Sequence, residues 1–183
     1  MSALRIRTAQ TDELEPDQLA ELTELCELAF DEPFAAVWER VGPGLHVMAE
    51  VDGRVAAHAM IVDRSLYLGH EADIALDAGY VENVATLPEV QGRGHGAAAM
   101  REIGRIIASE YVIGALATGS NAFYAKLGWE TWIGPTSVRM ADGERVRSSN
   151  EDGHVMILRT PRTPPDLQLD TPIAIDWRPE DPW

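Results

Sequence analysis

The sequence predicts an α+β fold of mixed α/β character. Strand patterns crowd the first half, a strand–turn–helix–strand unit sits in the middle, and a proline-rich tail closes the chain. Leu4–Thr8 reads as a short strand. Pro16 opens a helix through about Phe30, because its missing N–H would be unpaired in the first turn anyway. Leu19, Leu22, Cys26 and Ala29 recur at helical spacing among acidic residues. A second short helix is predicted over Phe34–Arg40, ended by Gly42-Pro43-Gly44. Leu45–Val51 and Arg54–Val62 form a hairpin about Asp52-Gly53, a pair that tolerates the positive φ a tight turn needs. Val55, Ala57, Ala59 and Ile61 alternate and should share a face. Ser65–Leu68 pairs onward, and Ala78–Thr86 is a further strand. A glycine-rich turn over Gln91–Gly96 leads into a helix to about Glu110. Tyr111–Ala117 (strand), Ser120–Leu127 (helix), Gly128–Ile133 and His154–Arg159 (strands) follow. The tail from about residue 160 is extended, with a strand at Ile173–Asp176.

The 183 residues suit a single domain, 1–183, large enough to bury a core without metal or disulfide staples. The single cysteine, Cys26, reads as a buried small hydrophobe. No apolar run approaches a membrane span, and Met1–Gln10 lacks a signal-peptide h-region, so a cytoplasmic setting is expected. The formal charge is −15, from 30 acidic and 15 basic residues. That field repels nucleic acid and anionic membranes and favours a cationic partner, while serving solubility as well. His46, His58, His70, His95 and His154 show no metal-ligand spacing. They read as structural or solvated, with His95 at the glycine turn.

Gln91-Gly92-Arg93-Gly94-His95-Gly96 lies between a strand and a helix. Glycines let backbone approach a ligand closely, and the helix start offers N–H groups and a positive dipole end to a diphosphate. Arg93 adds a charge. A P-loop ending in Gly-Lys-Ser/Thr and a G-x-G-x-x-G fingerprint are both absent. On these residues alone, a plain strand-to-helix connection stays open beside the phosphate cradle.

Gln91-x-x-Gly94-x-Gly96 resembles the Q/R-x-x-G-x-G/A signature of the GCN5-related N-acetyltransferase (GNAT) superfamily, and Asn121-Ala122-Phe123-Tyr124-Ala125-Lys126-Leu127-Gly128-Trp129 resembles its later N-x-x-F-Y-x-x-x-G-F/W helix. The resemblance implies a mostly antiparallel sheet splayed at an acetyl-coenzyme A site. It assigns the pyrophosphate to Gln91, Gly92, Arg93, Gly94, His95, Gly96 and Ala97. The pantetheine arm falls to backbone groups of Val84 and Thr86 and to Asn121, with Leu116 and its neighbours splaying away.

More of the chain is similar to the aminoglycoside 2'-N-acetyltransferases. Ala78-Gly79-Tyr80-Val81-Glu82-Asn83-Val84-Ala85 resembles their central strand, Gly134-Pro135-Thr136-Ser137-Val138 another of their strings, and Asp176-Trp177-Arg178-Pro179-Glu180-Asp181-Pro182-Trp183 their terminus. The resemblance implies direct attack by the amine within a ternary complex. Glu82 would be the base acting through water, Tyr124 the group that holds or protonates the leaving sulfur, and Trp183 a terminal carboxylate in the active site. Asp181, with Glu151 or Asp152, would meet substrate hydroxyls or ammonium groups. A solvent-facing strand carboxylate, a core tyrosine and a frayed tail are the plainer readings of Glu82, Tyr124 and Trp183. Homodimers are common among such enzymes, but no interface is legible here.

The sequence departs from that pattern after the first helix. Acidic residues of the family fall near Pro33 and Val37 here, leaving Asp31 and Glu32 as candidate substitutes. The Thr118-Gly119-Ser120 junction is also shorter than usual. A charged contact in a partly buried site is worth ~1.5–3 kcal/mol, so two fewer would favour an aminoglycoside with fewer amines, such as kasugamycin. Another small amine, an amino sugar or polyamine, is the alternative acceptor. A silent acetyl-coenzyme A or cation binder is the alternative from outside enzymology.

Overall fold

The computed structural model describes residues 3–69 and 74–183, with backbone alone at residue 74. His70, read above as structural or solvated, lies outside the described residues. The chain divides into two compact units, Met1–Val62 with Val81–Arg105, and Asp63–Tyr80 with Ile106–Trp183.

The first unit holds β1 (Leu4–Gln10), α1 (Pro16–Phe30), α2 (Ala35–Val41), β2 (Leu45–Val51), the first part of β3 (Arg54–Leu68), the end of β4 (Ile74–Thr86) and most of α3 (His95–Glu110). α1 begins as its sequence predicts. Pro16 occupies the first turn, and Glu15 and Gln18 cap each other reciprocally. The helix ends at Asp31, whose left-handed φ of 57° lets its N–H reach the Glu27 carbonyl at 2.9 Å. Leu22, Leu25 and Cys26 face an apolar cluster with Phe34, Val37, Met48, Val55, Ala85 and Leu87. Burial pushes the Cys26 thiol up to about 12, which leaves it inert at neutral pH.

β1 pairs antiparallel with β2, and β2 with β3. Asp52 and Gly53 take φ of 52° and 80°, as the tight turn requires. The β2–β3 register slips between Ala49 and Glu50. Ala56, the extra residue opposite that slip, accepts the Leu87 N–H at 3.0 Å. The alternation read for β3 implies one covered face. Instead every residue from Val55 to Val62 is buried, because both faces of this strand are covered. The second face carries His58.

In the second unit the strand path runs β6-β9-β5-β4-β3-β10-β7-β8. The additional elements are β5 (Ile113–Ala117), α4 (Asn121–Ala125), β6 (Glu130–Thr131), β7 (Thr136–Arg139), β8 (Arg145–Arg147), β9 (Val155–Arg159) and β10 (Ile173–Asp176). β4 pairs parallel with β5 only over Ala78–Tyr80 and Ile113–Ala115. Leu116 pairs instead with Met156 of β9. β10 arises where expected and lies antiparallel to β3 and parallel to β7. The β7–β8 hairpin was not read from the sequence, although Asp142-Gly143 repeats the turn signal of Asp52-Gly53. β6 is shorter than read, because the Ile133 and Gly134 N–H groups both turn to the Leu169 carbonyl of the tail, at 2.9 Å. Among the described residues, no helix is long and apolar enough to cross a membrane. None of their His, Cys, Asp and Glu residues form a group of three or more able to hold a metal ion.

Candidate active site

The first unit carries the glycine turn. β4 ends at Thr86, and a 3-10 turn over Pro88–Val90 leads into Gln91. The Gln91 amide donates back to the Thr86 carbonyl at 3.2 Å, tying the turn to the strand end. Gly94 takes φ of 88°, a conformation other residues adopt only under strain. Gly96 permits close packing, since a Cβ there would meet Thr86 Oγ1 at 2.8 Å. α3 starts at His95, inside the motif, and Ala98 N–H donates to the Gly94 carbonyl at 3.0 Å. The preceding N–H groups of His95, Gly96 and Ala97 therefore belong to the first turn, where a helix offers donors without intrahelical partners. Gly92, Arg93 and Gly94 are exposed beside them. Such a turn is suited to an anion.

The same unit holds Glu82, Val84 and Thr86 on β4, all partly buried. Between Glu82 and Val84, Asn83 adopts a left-handed φ of 54°. That kink interrupts the alternation of an ordinary strand and re-aims its neighbours. Asp31 and Glu32 are exposed after α1, and Pro33 is exposed beyond them. Val37 is buried in the apolar cluster of this unit.

The second unit gathers the remaining candidates. Tyr124, on α4, is buried edge-on against Phe123 and near Trp129. Burial pushes its hydroxyl up to about 12 against a smaller opposing pull from Thr118, so it keeps its proton at neutral pH. The Asn121 amide donates to Thr131 Oγ1 at 3.0 Å and to the Gly153 carbonyl at 2.9 Å. Glu151 is raised above the usual carboxylate range, first by burial and then by the charge of Asp181, with His154 opposing. The two carboxylates thus share one electrostatic neighbourhood. Asp152 is engaged differently. It bonds Arg147 and accepts from the Thr136 N–H at 3.1 Å and hydroxyl at 3.0 Å. These contacts, Arg147 foremost, hold it down at about 2.

The tail is pinned rather than frayed. Arg64 donates to the Asp176 carbonyl at 2.6 Å and the Pro182 carbonyl at 3.1 Å. Arg178 bonds the Asp181 carbonyl. The Trp183 ring is buried and its Nε1 donates to Ser148 Oγ at 3.0 Å. Trp183→Ala should therefore cost about 3–5 kcal/mol of stability, read by urea unfolding.

Comparison with known proteins identifies the family. The acetyltransferase (GNAT) domain family matches residues 5–132. The chain belongs to the GNAT acetyltransferases. It is an acetyl-coenzyme A-dependent N-acetyltransferase. The chain is 35% identical over 160 residues to an aminoglycoside 2'-N-acetyltransferase of Mycolicibacterium fortuitum, covering 85% of this chain and 80% of that one. Its fold resembles a GCN5-related N-acetyltransferase from Kribbella flavida, with TM-score 0.58 and 21% identity. That likeness covers 73% of this chain, which spans about a third (34%) of the other. A GNAT family acetyltransferase from Brucella melitensis, solved in complex with acetyl-coenzyme A, is similar with TM-score 0.51 and 22% identity, over 71% of this chain and 84% of that one.

Sequence reasoning found the glycine turn of this acetyltransferase but missed two features beside its candidate residues. One is the left-handed Asn83, for which an Asn within a strand, a residue that tolerates positive φ, was the available signal. The other is the buried His46–His58 pair, for which two histidines on paired strands carry no periodic signature.

Proposed function

We propose that this GNAT enzyme acetylates the 2'-amine of an aminoglycoside. The supporting structural observation is the Glu151–Asp181 pair, two mutually repelling carboxylates beside a pinned tail. A cationic amine relieves that repulsion, and the −15 net charge draws such a molecule in. The relative from Mycolicibacterium fortuitum is named for this acceptor class. The whole chain, 1–183, acts in this reading as one catalytic domain, with the tail from about residue 160 contributing to acceptor binding. A cytoplasmic setting and a part in antibiotic resistance belong to the same reading.

Each residue then has a task. The Gln91–Ala97 turn holds the pyrophosphate, and backbone groups of Val84 and Thr86, with Asn121, hold the pantetheine arm. Bound acetyl-coenzyme A supplies a thioester activated toward an amine. Glu82 accepts the ammonium proton through water, because a protonated amine has no lone pair for attack. The Val84 N–H faces the negative charge that builds on the carbonyl oxygen. Tyr124, which keeps its proton at neutral pH, donates toward the leaving sulfur. Glu151, Asp181 and Trp183 bind the acceptor, and Asp31 and Glu32 are further candidate contacts for its amines. Asp152, committed to Arg147 and Thr136, positions the Glu151 segment.

The buried Val37 and the exposed Pro33 leave the α1–α2 segment without carboxylates at those two positions. That supports an acceptor with few amines, of which kasugamycin is the example. The test is thiol release from acetyl-coenzyme A with kasugamycin, kanamycin B, gentamicin, amikacin and spermidine, with product regiochemistry. Turnover of drugs bearing a free 2'-amine, kasugamycin fastest, and none of amikacin is the expected outcome. Faster turnover of kanamycin B or gentamicin would reject the few-amine acceptor. Turnover of spermidine alone would reject the aminoglycoside. Asp181→Asn should raise the acceptor KM about 10-fold at constant acetyl-coenzyme A KM, read from steady-state kinetics.

A further inference from the structure

Asn83 is held from β3 at two points. Its carbonyl lies 3.0 Å from His58 Nδ1, and its side-chain amide donates to Met60 Sδ at 3.4 Å. His58 and Met60 are two residues apart on the strand and so share a face. Behind His58 runs a chain of buried polar groups. His58 Nε2 lies 2.9 Å from His46 Nδ1, and His46 Nε2 lies 2.9 Å from Thr11 Oγ1. Thr11 Oγ1 in turn accepts the Gly44 N–H at 2.9 Å.

The donor order in this chain follows from its ends. A carbonyl can only accept, so His58 Nδ1 carries its proton. Neutral His58 then has a bare Nε2, which accepts from His46 Nδ1. The bare Nε2 of His46 accepts from the Thr11 hydroxyl. The Thr11 hydroxyl also lies 3.0 Å from the Gly44 carbonyl, but that oxygen already accepts the Thr11 N–H at 3.0 Å, whereas the bare Nε2 of His46 has this hydroxyl as its donor. Every link points toward Asn83. Burial holds both imidazoles in the neutral form, at about 4 for His46 and about 3 for His58. Trp38 packs against both rings, at 5.7 and 5.8 Å, and its Nε1 is fixed on Thr23 at 2.9 Å.

We propose that His58 is a positioning residue for acetyl transfer. By donating to the Asn83 carbonyl it holds the left-handed kink that aims the Glu82 carboxylate and the Val84 N–H, while His46 and Thr11 hold His58 in the tautomer able to do so. The proposal rests on the roles given above to Glu82 and Val84. It differs from a proton relay, because His58 ends on a main-chain oxygen and offers no path to a carboxylate.

Two substitutions separate the possibilities. His58→Leu removes the donor to Asn83. His58→Asn places an amide N–H where Nδ1 stood, and still breaks the link to His46. The expected result for His58→Leu is a kcat lower by about 10- to 100-fold, with the acetyl-coenzyme A KM within about 2-fold of the parent. The kcat pH profile should keep its apparent pKa. His58→Asn should recover most of the lost kcat while melting as low as His58→Leu. The Val84 amide resonance of the free protein should move in His58→Leu and return in His58→Asn. The proposal is overturned if both variants lose kcat alike in step with folded fraction, if the apparent pKa shifts, or if the Val84 amide stays put in His58→Leu. Should the parent enzyme acetylate no amine of the panel, the proposed function fails, and the Val84 resonance still decides the role of His58.

Discussion

Glu82→Gln should lower kcat at neutral pH by about 100-fold or more, with acetyl-coenzyme A binding unchanged by calorimetry. The substitution keeps the shape of the side chain and removes its ability to take a proton. An aminoglycoside amine is largely an ammonium at neutral pH, so a base has to remove a proton in or before the attack. The loss should shrink at high pH, where solvent supplies neutral amine. The kcat/KM profile of the parent enzyme should therefore carry an ascending limb that the variant lacks. A loss below about 3-fold would place the base elsewhere and return Glu82 to the role of an ordinary strand carboxylate.

Acid should destabilise this protein well above the pH at which most carboxylates protonate. His46 and His58 are buried, and their pKa values are depressed from 6.5 to about 4 and about 3. Their unfolded forms take up protons first as pH falls. The contribution of the pair to stability is thus largely present above about pH 6.5 and is lost as pH falls from there toward 4 for His46 and 3 for His58. Each group contributes a limiting slope of about 1.4 kcal/mol per pH unit, or about 2.8 for the two. Urea unfolding between pH 6 and 4.5 should show roughly that slope in the parent and about half of it in His46→Leu. Equal slopes would mean that water or a local opening lets the pair titrate freely in the folded state. Asp152 acts lower on the scale. Its carboxyl, held at about 2 chiefly by Arg147, gives up its contribution only as pH falls below its ordinary value near 3.8.

The elements legible in the sequence were those with local causes. α1 follows from Pro16 in the first turn and apolar residues at helical spacing, and the β2–β3 hairpin from Asp52-Gly53 between two apolar runs. β10 follows from a short apolar run after Pro172. The Gln91–Gly96 turn was legible because its glycines answer to backbone needs, a left-handed φ at Gly94 and a close approach at Gly96. Glu82 and Tyr124 were picked out by resemblance, and nothing local distinguishes them from other strand and helix residues. Glu151 and Asp152 show where local pattern runs out. They are adjacent acids in sequence, yet one is raised by burial and Asp181 while the other is claimed by Arg147 and Thr136.

The sequence by itself determined the α+β class, the position of the glycine turn, the start of α1 at Pro16 and the acidic charge that favours a cationic acceptor. Only the tertiary structure decided that β3 is covered on both faces, that Asn83 is left-handed, and that His46 and His58 meet. The division has a physical cause. Turns, caps and amphipathic spacing are set by interactions within a few residues. The chain from Thr11 through His46 and His58 to Asn83 forms only when strands distant in sequence come into register, and burial then fixes its protons.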